Sequence, residues 1–253
     1  MKTGSSHSSK AHDRETMKPF EPTPGRFYAA PRIDCLRKTF QRLLAPSSYL
    51  EDVFTEIYRE KHWGDGESAS GTGSGPEGSA RVRALLPALL RTLGGRSLLD
   101  VPCGDFHWMR MLDLQLDSYV GADIVRELIE RNTQLYAGPS RRFVVLDLTK
   151  NRLPAVDVIL CRDGLGHLSN RDSLRAIRNI QHSGSRCLMA TTFPQLDRNR
   201  DICSGQWRPM NLQLAPFHFP PPLALHVEES LRDAGYPSDK ALGIWSIADL
   251  AAR

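Results

Sequence analysis

From residue 81 onward, short apolar runs alternate with amphipathic stretches, and that alternation leaves few folds open. "SLLDV" (97–101), "SYVGA" (118–122), "RFVVL" (142–146), "VDVILC" (156–161) and "RCLMAT" (186–191) each read as a strand. Runs this apolar are buried on both faces, as in a parallel sheet covered by helices. The spacing predicts a helix over "RVRALLPALLRTLGG" (81–95), stopped by Gly94 and Gly95, and further helices over 106–112, 123–136 and 171–182. Two more strands are expected near 223–228 and 242–248. The expected fold class is therefore α/β, with seven strands, mostly parallel, flanked by helices.

The 253 residues suffice for a full core. The net charge of +4 is unevenly placed: residues 1–42 hold nine Lys/Arg against four Asp/Glu, so the rest of the chain is close to neutral. A nucleic-acid groove needs a basic stripe on the folded body, so this distribution weighs against nucleic acid as a partner. No apolar run is long enough to cross a bilayer, and none near the start reads as a signal peptide, so no membrane partner is expected. Five cysteines without CxxC spacing (Cys35, Cys103, Cys161, Cys187, Cys203) argue against a disulfide framework or a metal site. They favour a reducing compartment, and a cytoplasmic location is expected.

Three segments are expected. Residues 1–30 are polar and without period, and read as a flexible leader. Residues 31–80 read as an N-terminal helical segment with a Gly/Ser loop. Leu36, Phe40, Leu43 and Leu44, then Leu50, Val53, Phe54, Ile57 and Tyr58, recur at helical spacing around Pro46. The loop "HWGDGESASGTGSGPEGSA" (62–80) is either a linker or a lid, with Trp63, Ser70 and Ser74 as lid residues. Residues 81–253 form the main domain.

In an open α/β sheet, ligands bind beyond the carboxyl ends of the strands. "LLDVPCGDFHWM" (98–109) ends strand 1 there, bringing Asp100, Pro102, Cys103, Gly104 and Asp105 to that edge. Gly104 allows close backbone approach, and a helix starting at 106 would offer free N–H groups. Asp123 ends strand 2, nineteen residues after Gly104. It suits the ribose of a nucleoside cofactor, or the N-cap of the next helix, or both. Asp147 ends strand 3 and suits an exocyclic amino group or a turn. Asp163 and His167 follow strand 4, where a base can remove a proton.

Together these residues resemble the class I S-adenosylmethionine-dependent methyltransferases, in a bacterial variant with a "PCGD" first motif. The resemblance spans about residues 82–195 and implies a Rossmann-like sheet with S-adenosylmethionine as cofactor. It implies Asp100, Pro102, Cys103, Gly104, Asp105, Asp123, Ile124, Asp147, Leu148, Cys161 and Arg162 as cofactor contacts, Asp105 meeting the methionine amino group. The family's three alternating loop glycines are Pro102, Gly104 and Phe106 in this chain, and Phe106 fits only if its ring turns into the core. His167 and Asp163 are the catalytic candidates.

The segment after strand 5 is rich in proline, which preorganises a loop. It reads as a substrate-side insertion, complementing the N-terminal helical lid. Arg208 suits an anionic acceptor, Trp207 a ring or the sulfonium, and Asn211 a polar group; Trp63 joins them from the lid. The expected reaction is methyl transfer to an oxygen or nitrogen of a small-molecule or glycan-like acceptor. Competing expectations are a non-catalytic or degenerate member of the fold, and a methyltransferase acting on RNA or protein. "PCGDFHW" does not fit GxGxxG, which sets a nicotinamide cofactor aside. Oligomeric state is not legible.

Overall fold

The computed structural model describes residues 48–64, 67–228 and 239–251. The expected leader and the helical pattern over 36–44 lie outside them. Seven strands form one sheet: β1 (Ser97–Asp100), β2 (Ser118–Asp123), β3 (Arg141–Val145), β4 (Val158–Cys161), β5 (Cys187–Thr192), β6 (Ala224–Val227) and β7 (Ala241–Ser246). Their order is β3-β2-β1-β4-β5-β7-β6. The first five are mutually parallel, and β7 runs antiparallel between β5 and β6.

Burial follows the two-residue period of a strand. Leu99, Ile159 and Leu188 face one core, with α1 (Tyr49–Arg59) and α4 (Asn170–Gln181) packed on it. Leu98, Leu160 and Met189 face the other core, beneath α2 (Ala80–Thr92). α3 (Arg126–Tyr136) follows β2, and α5 (Ile247–Ala251) ends the described chain. Gly94 takes φ +60° just past α2, as expected of a helix stop. Among the described residues no helix is long and apolar enough to cross a membrane.

The helix expected over 106–112 is absent; only a 3₁₀ turn, Met109–Met111, stands there. Gly104 and Phe106 both adopt left-handed φ (+54° and +59°), which no α-helix accommodates. Phe106 fits the loop in the way its bulk requires. Its ring turns into the core and meets Tyr119 (5.4 Å), Tyr136 (5.2 Å) and Phe143 (5.1 Å), with the Arg141 guanidinium over its face. Cys103, Cys161 and Cys187 are free thiols. Cys203 is disulfide-bonded, so the cysteine argument for a reducing compartment does not hold.

Phe106→Ala empties the centre of this aromatic cluster while keeping a left-handed backbone. Urea denaturation is expected to show a loss of about 3–5 kcal/mol.

Candidate functional site

The strand order reverses between β1 and β4, opening a crevice at their carboxyl ends. A cavity of about 150 Å³ lies there. Its floor is the ends of β1–β4. Its roof is α1, which presents Leu50, Phe54 and Ile57 at helical spacing, continued by Trp63, Ser70 and Ser74. The Gly/Ser loop thus packs over the crevice, with Ser70 and Ser74 on the cavity wall.

Asp100 is buried at the end of β1, and one of its oxygens accepts from the Tyr119 hydroxyl (2.7 Å). Burial pushes its carboxyl up to about 7. The chain then passes Pro102, Cys103 and Gly104, all on the cavity wall. A Cβ at Gly104 would lie 2.2 Å from Ser70 Oγ, so only glycine lets the lid close onto this loop. Gly164 is likewise pressed against Pro102, joining the ends of β1 and β4.

Asp123 is not the N-cap of α3, which is Val125. The Asp123 carboxylate accepts from the N–H groups of Val125 (3.0 Å) and Gly104 (3.2 Å), setting the turn before α3, and it still faces the cavity beside Ile124. Asp147 accepts from Thr149 N (2.8 Å) and Oγ1 (2.7 Å) and pairs with Lys150, and it lines the cavity with Leu148.

Beyond β4, His167 Nδ1 lies 3.0 Å from the Gln206 carbonyl. A carbonyl only accepts, so Nδ1 carries the proton and Nε2 keeps its lone pair. Burial pulls the ring down to about 4, so it is neutral at neutral pH. Trp63 stacks on it with ring centres 4.2 Å apart, and Phe54 stands behind Trp63.

Arg162 and Asp163 belong to a buried ionic network. The Arg162 guanidinium holds Glu228 (2.7 Å) and donates to the lid carbonyls of Gly73 (2.9 Å) and Gly78 (3.0 Å). Asp163 pairs with Lys240 (2.6 Å) and Arg162 (3.4 Å). Lys240 and Arg162 hold its carboxyl well below the usual carboxylate range against the effect of burial. Asp163 is therefore held as an anion within this network. Glu228 and Lys240 were missed by sequence reasoning, as no local pattern links residue 162 to residue 228.

Five expected contacts stand outside the cavity. Asp105 turns its carboxylate to the lid, accepting from Ser68 Oγ (2.9 Å) and Ala69 N (2.8 Å). Cys161 is fully buried inside the sheet. Arg208 is buried, with its guanidinium donating to the Leu168 carbonyl and Asn170 Oδ1. Asn211 donates to the carbonyls of Pro194 and Leu196. Trp207 packs edge-on against Phe193 and beside Gly166. The segment after β5 is thus tied to itself and to the start of α4. Among the described residues no group of three or more His, Cys, Asp or Glu is placed to hold a metal ion.

Glu228→Gln removes the closer of the two carboxylates paired with the buried Arg162 charge. A loss of about 3–5 kcal/mol in urea denaturation is expected. Limited proteolysis should cut the Gly/Ser lid sooner than in the wild type.

No protein-family model matches the sequence, and no curated protein matches it. Solved structures do. The methyltransferase domain of bacterial CtHen1 aligns at TM-score 0.50 and 11% identity, covering 66% of this chain and 98% of that one. Magnesium protoporphyrin IX methyltransferase from Synechocystis PCC 6803, solved with bound SAM, aligns at TM-score 0.50 and 16% identity, covering 82% and 95%. At these identities the shared feature is the fold: this chain has the Rossmann-like fold seen in these two structures.

Proposed function

We propose that this chain is a methyltransferase that moves a methyl group from S-adenosylmethionine to an oxygen or nitrogen of a small-molecule or glycan-like acceptor. One arrangement supports this above all. Asp100, Asp123 and Asp147 end three adjacent strands and face a single cavity under an aromatic roof. Asp123 suits the two ribose hydroxyls, and Asp147 the adenine amino group. Leu128, Leu146 and Leu148 supply an apolar bed for the ring. Asp100 is a buried acceptor for the amino group of the methionine part. In this reading residues 31–80 carry the roof and 81–253 the methyltransferase domain.

S-adenosylmethionine, when bound, supplies an electrophilic methyl group on a sulfonium. The chain's own work is alignment and exclusion of water. Trp63 and α1 cover the cavity. His167 Nε2 offers a lone pair where an acceptor hydroxyl or amine would lose its proton. The insertion after β5 buttresses His167 through the Gln206 carbonyl.

Calorimetric titration tests this reading. The wild type is expected to bind S-adenosylhomocysteine, with Asp123→Ala weakening it at least about tenfold. A folded wild type that binds none overturns the reading.

Binding should also depend on pH. The Asp100 carboxyl titrates at about 7, and a ligand ammonium favours its ionised form. Below that pH a proton must leave before the ammonium is held. Affinity for S-adenosylhomocysteine therefore rises with pH up to about 7 and levels off above it. Titrations of Asp100→Asn should show this dependence flattened.

A further inference from the structure

The loop after β1 has spent its backbone donors. Pro102 has no N–H. The N–H of Cys103 donates to the Ala122 carbonyl (2.8 Å) and that of Gly104 to Asp123 (3.2 Å). Asp105 N donates to Ser70 Oγ (3.2 Å), Phe106 N to the Cys103 carbonyl (3.3 Å) and His107 N to Asp105 (3.2 Å). A ligand carboxylate laid on this loop would find no donor in it.

The lid above carries what the loop lacks. Ser70 Oγ accepts from Asp105, so its own proton remains to be donated. The Ser74 hydroxyl has no partner among the described residues. Both serines line the cavity, as Asp100 does. The lid is fixed in place from both ends: Asp105 holds Ser68 and Ala69, and Arg162 holds the Gly73 and Gly78 carbonyls. Arg162 itself is neutralised by Glu228 and has its donors committed. The hydroxyls of Ser70 and Ser74 thus share the cavity with the Asp100 carboxylate, and donors together with a carboxylate are the complement of an α-amino-acid zwitterion.

We propose that Ser70 and Ser74 hold the carboxylate of the cofactor's amino-acid end, replacing the loop donors that this chain has used internally. This rests on the cofactor reading above. The lid is then part of the cofactor site itself, and it selects ligands that carry an intact amino acid.

Two ligands separate this role from a structural one. S-adenosylhomocysteine has the amino-acid end; 5′-methylthioadenosine keeps the adenosine and thioether and lacks it. Both are titrated by calorimetry into the wild type, Ser74→Ala and the Ser70→Ala/Ser74→Ala double variant. The double variant is expected to lose at least about tenfold in affinity for S-adenosylhomocysteine and to bind 5′-methylthioadenosine within about twofold of the wild type. Ser74→Ala, which breaks no bond to Asp105, should show part of the same selective loss. Equal losses for both ligands, or no loss for either, overturn the proposal. A folded wild type that binds neither ligand overturns the cofactor reading, and this proposal with it.

Discussion

The upper half of the cavity depends on one buried guanidinium. Arg162 stands at the end of β4, paired with Glu228 at the end of β6, and reaches two carbonyls of a segment more than eighty residues earlier in the chain. Removing such a charge from water is costly, and only a full set of partners offsets it. Lys240 and Asp163 complete the set with one charge of each sign. A Gly/Ser segment has little apolar surface with which to fix itself, so the charged groups beneath it do that work. The Arg162 guanidinium also lies over the Trp108 ring, which ties the same point to the loop after β1.

That loop shows a second exchange. Where the family pattern has glycine, the chain has Pro102 and Phe106, and each residue is used for cohesion. Phe106 joins β2, β3 and α3 through three aromatic contacts. Pro102 seats against Gly164 and closes the gap between β1 and β4. The loop is more tightly knit than a glycine turn, and its polar groups are turned inward.

The strands and the three acids at their ends were legible because both signals are local. An apolar run marks a strand, and the acid that ends it stands at the ligand edge by topology alone. Trp63, Ser70 and Ser74 were legible because a long loop between packed helices needs a reason to exist. The post-β5 residues misled for a physical reason. Arg208 and Asn211 are polar side chains among prolines, which is the appearance of a binding loop. Their partners are backbone carbonyls and the Asn170 side-chain oxygen, and nothing near them in sequence marks those acceptors as unsatisfied. The 106–112 stretch misled because Phe106, where the helix was expected to start, adopts a left-handed φ and leaves only a 3₁₀ turn after it. Glu228 was invisible because a pairing across sixty-six residues leaves no local trace.

The roof has a further consequence in time. α1 and the Gly/Ser segment leave the ribosome before every strand they rest on, and Glu228 and Lys240 emerge only after β6. Local pairing cannot hold the roof in the interval, because its anchors are distant in the chain, and distant contacts form slowly. The sheet's first strands can associate while the roof is still without support. The cavity becomes a closed space only once β6 and β7 arrive, so these later strands complete a site whose covering was made before them.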